Sequence, residues 1–543
     1  MCALFAMISR AVMAALACGL WGLACSSAAS RSTGAGPHKS EVIGPTQYDA
    51  ELEQAKRHGG QAEAPNIDFR EPVTSLEEAI LRAYWHNPEV LAGRARKRAA
   101  DYRLPQARAL YGPRVDYEIA YSYRRDRIEF QPDQFRTASG WTKTVSAVID
   151  QPLATFGRLA ANERRASAEI GFERATLEYT EQQVTLATIE AYAAVVRDRN
   201  AVRIAQENLD LLTKTLSDSE QRFNAREATL VDFRQVGTRR KLASAELQIA
   251  TGRLATSEGR FLAITGSAPA DELAPIGQLV QPVPTLDSAL RIALSQNPLV
   301  EAAHYREQIS RAVADAAVAE RLPRVDLRGR ADLAPTNDYD DRLRQTTYVG
   351  QVVLSGPLFT SGLLAARQRE AVALNDADWR LIDAARRNLI EELTSAWKTR
   401  EASRQSLQSY ATAVEAAREA YLGAVAQQKA GFRTTLDVLI LAGDILLVEN
   451  GRNSARYEEY MAQARTLFAL GMLSLSDLMA DQPSYNAAVH LDAVDGQGSF
   501  FPVTPFVRLL DGGLKSPVEP RESRDPVLGV GSFSAPQGDN RSR

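Results

Sequence analysis

Cysteine is missing from position 26 onward. The chain's three cysteines are Cys2, Cys18 and Cys25, so no disulfide framework or thiolate chemistry serves the rest of its 543 residues. Long apolar runs are missing too. After residue 30 nothing approaches the ~18 residues a spanning helix needs, and Val438 to Ala442 is about the limit. The formal net charge is only −3, which removes the electrostatic case for nucleic acid. Histidine is scarce, with five in all; His86 and His304 fall on core-like helical stretches and read as structural. No zinc spacing, phosphate loop or nucleophile elbow occurs, and Asp495-Gly496 is too short a match for a calcium loop. These absences argue against an enzyme and against any cofactor.

The N-terminus accounts for the cysteines. Arg10 precedes an apolar run from Ala11 to Ala24 and then a Ser/Ala-rich stretch, the shape of a secretory signal peptide over residues 1–25. Gly22-Leu23-Ala24-Cys25 resembles a lipoprotein cleavage box that would acylate Cys25, although Gly22 stands where a large apolar residue is usual. The alternative is plain cleavage around Cys25-Ser26-Ser27-Ala28.

Two stretches alternate with period 2. Val115, Tyr117, Ile119, Tyr121 and Tyr123 share one face; Asp116, Glu118, Ala120 and Ser122 share the other. Trp141, Val145, Ala147 and Ile149 repeat the pattern after a polar stretch, Arg124 to Gly140, expected to be a loop. Such alternation argues strands with one greasy and one wet face. Pro152 and Gly157 close the unit.

The unit occurs twice. Leu76, Ala79, Asn87, Pro88 and Pro113-Arg114-Val115-Asp116 recur 210 residues on, ending in Pro323-Arg324-Val325-Asp326. Past the strands the offset becomes 205, from Pro152 and Pro357 to Gly266 and Gly471. The five-residue difference falls most simply in the loop joining the two strands. Two copies in one register are a strong repeat signal. Arg324 to Leu333 and Tyr348 to Leu354 are the strands of the second copy.

Each copy opens with a short helix that a break at Asn87-Pro88 interrupts in the first; Ser75 and Glu78 form a capping-box pattern there. A very long helix follows the strands. Val202, Ala205, Leu209, Leu212 and Leu216, matched by Leu407, Tyr410, Val414, Ala417 and Tyr421, give it a heptad-like seam. Each copy then turns and returns as a second helix. Gly431 suits a left-handed helix stop; the first copy has Arg226 there, so Asn224 is expected to take that conformation. The organisation is a linker at 26–73, repeat 1 at 74–266, a Pro-rich connector at 267–284, repeat 2 at 285–480 and a low-complexity tail at 481–543. The tail, rich in Gly and Pro without periodicity, is expected to be mostly disordered.

The fold class is therefore mainly α with a small β part, built as a duplicated helix–strand–strand–long helix–helix repeat. Strands that enter lipid must close into a barrel, and four strands are too few when the smallest single-chain barrels have about eight. The barrel must be shared between subunits, with lipid-interface aromatics Tyr117, Tyr121, Tyr123, Trp141 and Tyr348. A competing reading is a secreted or lipid-anchored coiled-coil structural protein of the envelope.

Residues 74–480 resemble the TolC-type outer-membrane channels of efflux pumps and type I secretion. The likeness rests on the duplicated unit, Pro-Arg-Val-Asp before each first strand, Gln-Pro-Leu…Gly and Gly-Pro-Leu…Gly after each second strand, residues 430–439 and residues 469–478. It implies a homotrimer in the Gram-negative outer membrane: a 12-stranded β-barrel continued by a periplasmic coiled-coil α-barrel tunnel. Its implied partners are a periplasmic adaptor (membrane fusion) protein and an inner-membrane ABC or RND-type transporter, and its cargo is a secreted protein or an effluxed small molecule. The closing Ala-Leu-Gly-Met-Leu is more like the non-lipidated secretion branch. The resemblance also places a gate at the periplasmic tip. Arg433 matches a restraining arginine, Asp232 the aspartate it bonds, and Asp437 a ring aspartate; Ile440 and Gln428 replace a second ring aspartate and a tip tyrosine. Three Asp437 carboxylates around one axis would repel, raise each other's pKa and favour a cation. Asp232 and Asp437 fit equally well as plain helix caps.

Overall fold

The computed structural model describes residues 70–277, 279, 283–500 and 503–511. The signal peptide, Cys25, most of the 26–73 linker and the end of the tail lie outside the described residues. The first copy contributes α1 (Leu76–His86), α2 (Pro88–Asp101), α3 (Arg103–Ala109), β1 (Arg114–Gln131), β2 (Gln134–Ala154), α4 (Arg158–Asn224) and α5 (Leu230–Thr265). The second contributes α6 (Leu286–Gln296), α7 (Pro298–Ala319), β3 (Arg324–Asn337), β4 (Asp340–Ser355), α8 (Leu363–Lys429) and α9 (Thr435–Leu470). Three short helices follow: α10 (Leu475–Leu478), α11 (Ala487–Val494) and α12 (Val503–Asp511).

The same local chemistry breaks both copies at the same place. Asn87 caps α2 by accepting from the Glu89 amide, and Asn297 caps α7 by accepting from the Leu299 amide. Proline follows each asparagine at the first helical position, where its missing N–H costs nothing. Each asparagine also donates to the last turn of its own copy's return helix, Asn87 to the Ile264 carbonyl and Asn297 to the Ala469 carbonyl. One side chain therefore starts one helix and ties down the end of another.

The four strands form one antiparallel sheet in the order β1-β2-β3-β4. They are longer than the alternation implies, at 18, 21, 14 and 16 residues. The expected loop at Arg124 to Gly140 is strand except for Pro132-Asp133, and Asp338-Tyr339 makes the corresponding turn of the second hairpin. The five extra residues of the first hairpin therefore lengthen its strands, not its turn. Backbone pairing needs no polarity contrast, so the ladder continues where both faces become wet and the period-2 signal fades.

Helices α4 and α8 each run 67 residues, about 100 Å at 1.5 Å per residue. The expected seam is real in the first copy: Leu212 and Leu209 pack with Val236 and Ala243 of α5 and Leu439 of α9. The main core lies where the short helices meet the long ones, around Trp85, Ile189, Leu290, Leu389, Leu393, Met461 and Phe468. The two long helices are covered very unequally. Twenty-three residues of α4 are buried, against eight of α8.

Two further expectations are corrected. The left-handed residue before α5 is Arg226 (φ 63°), at the position of Gly431 (φ 81°), and not Asn224, which stays helical. The helix geometry fixes the place of the turn, so the arginine accepts the strain there. The tail is not structureless throughout, since α11 and α12 fold back onto the first copy. Lys97 (α2) donates to Asp101 at 2.9 Å and to the Ala487 carbonyl, while His490 lies 2.7 Å from the same Asp101 oxygen. Arg94 lies over Tyr84, Trp85 and Tyr485 and is bonded to Glu181. Asp511 accepts from the amides of Thr155, Gly157 and Ala160, and so caps the start of α4.

Candidate functional site

The sites the sequence points to lie at two places, the turns α4–α5 and α8–α9 and the faces of the sheet. Both turns use the same lock. The Thr229 hydroxyl bonds the Asp232 carboxylate and accepts the Asp232 amide, closing a capping box on α5. Thr434 and Asp437 do the same for α9. Both aspartates therefore do cap helices. The Thr434 hydroxyl and then its backbone N–H hold the Asp437 carboxyl below the usual carboxylate range, helped by Arg433. That direction is opposite to the one a ring of three carboxylates would impose.

Within one chain Arg433 does not pair with Asp232. Its Nε donates to Gln427 at 2.8 Å, across the turn that follows α8. Gln428, which stands in place of a tip tyrosine, donates to the Thr435 hydroxyl at 3.1 Å. The tip of α8 is thus fastened to the start of α9 by two glutamines. The sequence carries no signal for this, because the bonds depend on the turn's geometry. Beside these turns a groove of about 490 Å³ runs between the two return helices, lined by Leu230, Val231, Arg234 and Thr238 on one side and Leu436 and Leu439 on the other. Phe432 lies 83% exposed at the α8–α9 turn.

On the sheet the register decides which residues share a face. Tyr117 stands opposite Ala147, Tyr121 opposite Lys143 and Tyr123 opposite Trp141. Tyr121 stacks on Trp141 at 4.8 Å and 11°, and Tyr123 tilts against it at 5.1 Å. Tyr348 lies opposite Ala331 on the same face. All five aromatics are exposed, Tyr117 to 82%. The other face is ionic, with Arg124 paired to Asp126 and Asp338, Arg328 to Asp150 and Arg330 to Asp332.

Sheet, tips and duplication match one group of proteins. The family model described as "Outer membrane efflux protein" covers residues 80–267 and 289–472. This chain belongs to that family. Its relatives include the outer membrane efflux protein BepC of Brucella suis, 25% identical over 77% of this chain and 90% of that protein. The alkaline protease secretion protein AprF of Pseudomonas aeruginosa is 23% identical over 69% and 80%, and TolC of Escherichia coli 22% over 75% and 84%. Among solved structures, the CmeC outer membrane channel of Campylobacter jejuni superposes with a TM-score of 0.66 at 12% identity, covering 78% of this chain and 90% of that one. VceC of Vibrio cholerae gives 0.62 at 19%, over 73% and 96%. The fold is that of the outer-membrane channels, a channel family rather than an enzyme family, and the chain is an outer-membrane exit duct with its helices on the periplasmic side. A rod-like structural protein would give the four long strands no role.

Two contributors escaped the sequence reading. His490 is buried against Asp101, and Asp511 caps α4; both lie in the tail, where no periodicity announces a contact.

Proposed function

We propose that three copies of this chain close one 12-stranded barrel and one helical tunnel, and that the duct passes secreted proteins or small molecules outward from an inner-membrane ABC or RND-type transporter through a periplasmic adaptor. The observation that carries the reading is the open sheet. β1 and β4 are 18- and 16-residue edges with no further strand beside them among the described residues, and unpaired edges are not tolerated in lipid. The bare flank of α8 supports it, since a neighbour's helices would cover what its own copy leaves open. One relative is named for efflux and another for secretion of a protease, and a shared duct suits both. The groove between the tips of α5 and α9 offers an adaptor's helical tip an apolar seat with arginines at its rim.

The test is the assembly itself. Protein extracted in mild detergent should run as a trimer without boiling and collapse to a monomer after it; a stable monomer before heating removes the duct. Gating belongs to the same proposal. Arg433, held across the turn by Gln427, restrains the tip, with Asp232 as its implied partner in the assembly and Asp437 as the constriction. Arg433→Ala should raise the resting single-channel conductance in planar bilayers several-fold. A closed, quiet pore would leave the restraint elsewhere.

A further inference from the structure

The greasy face of the first hairpin does not end at the aromatics. Val115 to Tyr123 is nine residues, about 30 Å along the strand and about 23 Å of height at a tilt near 40°, which is the apolar band of an outer-membrane barrel. β1 continues to Gln131. The next two residues with the same orientation are Arg125 and Arg127, opposite Ser139 and Thr137. They sit two and four residues past Tyr123, about 5–10 Å above the apolar band by the same rise per residue. Lys143, opposite Tyr121, adds a third cation at the belt, its stem long enough to reach upward. The hairpin turns lie at the end away from the helices, so this level faces the outer leaflet.

The pairing of these cations differs from that of their neighbours. On the ionic face, up to the level of Arg124, each arginine meets an aspartate: Arg114 with Asp116, Arg124 with Asp126, Arg324 with Asp326, Arg328 with Asp150 and Arg330 with Asp332. Arg125, Arg127 and Lys143 are exposed and pair with no carboxylate among the described residues. The guanidinium carbon of Arg127 lies 4.0 Å from the centre of the Phe135 ring, which helps to fix the side chain. The nearest acid of the same face, Glu129, is turned to the tip and accepts from the Asp133 amide. The first hairpin pairs Arg114 and Arg124 with aspartates on its ionic face and leaves Arg125, Arg127 and Lys143 open on the other, which suits an anion that arrives with the bilayer; in the second hairpin Arg344 of the same outer face is paired with Asp341.

We propose that Arg125 and Arg127 above Tyr121, Tyr123 and Trp141, with Lys143 at the level of Tyr121, form a binding site for a phosphate-bearing lipid headgroup of the outer leaflet, three such sites per trimer. The aromatics seat the top of the acyl chains, and the fork of Arg127 and the point charges of Arg125 and Lys143 take the phosphate oxygens. The site rests on the barrel reading above and adds the lipid class that the barrel selects.

Native mass spectrometry of the detergent-purified trimer tests it, titrated with diphosphorylated lipid A and with the same lipid dephosphorylated. The wild type should retain the phosphorylated form preferentially, by about fivefold per cation engaged, and the preference should fall with salt. Inorganic phosphate at millimolar concentration should not displace it; displacement would identify a free-anion site instead. The variant R125Q/R127Q/K143Q should bind both lipids alike, and Arg330→Gln on the ionic face should leave the preference intact. Equal binding of the two lipids by the wild type, or an unchanged preference in the triple variant, overturns the site. A chain that never trimerises defeats the duct reading itself, whereas a trimer that ignores the phosphate defeats only the lipid site.

Discussion

Asp101→Ala should destabilise the folded chain by about 3–5 kcal/mol, the cost of leaving a buried charge without its partner. Lys97 and Asp101 are 1% and 0% exposed, and His490 is 8% exposed against the same carboxylate. Removing the carboxylate strands the Lys97 ammonium in a site with only the Ala487 carbonyl to receive it. The loss reaches the tail as well, because α11 is held to α2 through this cluster and through Tyr485 on Arg94. Asp101→Asn keeps the shape and loses the charge, so it should be nearly as damaging. The double variant Asp101→Leu/Lys97→Met should recover most of the stability, because it removes both charges together. Thermal unfolding in detergent reads the first effect, and limited proteolysis between residues 483 and 503 reads the second. An Asp101→Ala protein that melts and cleaves like the wild type would mean that the cluster holds nothing.

Asp437→Ala should bring the cation-to-anion permeability ratio of the reconstituted pore to near one. Asp437 is already engaged by Thr434, which keeps its carboxyl below the ordinary range, so it stays ionised through neutral and mildly acidic solution. Cation preference should therefore persist as the pH is lowered and disappear only as it passes through that depressed range. The other two copies of Asp437 would act in the opposite direction, by like-charge repulsion, and a midpoint above the usual carboxylate value would show the ring prevailing over the cap. The linkage has the usual sign for a depressed acid: the cap's contribution to folding is present above the unfolded pKa and is lost as pH falls through the folded one. Asp232→Ala separates the two roles, since it removes an identical capping box from the first copy. It should soften the tip without changing selectivity. A ratio that Asp437→Ala leaves unchanged would assign selectivity to another ring.

The sequence carried the duplication, the four strands, the long helices and the shared face of the strand aromatics because each is periodic or repeats at a fixed offset. Tyr117, Tyr121 and Tyr123 alternate, and Asn87 and Asn297 recur with proline after them; such patterns survive without coordinates. What stayed hidden is aperiodic. The strands past Tyr123 have two wet faces and so no alternation to read. Arg226 adopts a left-handed conformation that only the length of α4 demands. The contacts of His490 and Asp511 join positions more than 350 residues apart, and a single chain in the Gly/Pro-rich tail gives no sign of them. At the tips the sequence offered Arg433 and Asp437 but not Gln427, which became visible only as the arginine's partner.

The unequal covering of the two long helices has one more consequence. The arginine and aspartate of the proposed constriction belong to the copy whose helix α8 is largely bare, so in the proposed trimer that half of each subunit would lean on the next one around the ring. In that trimer a single subunit would have little freedom to swing its tip outward by itself, because doing so would strip the flank that its neighbour would shelter. Dilation of such an aperture is expected to be concerted, with all three subunits moving together like the leaves of an iris.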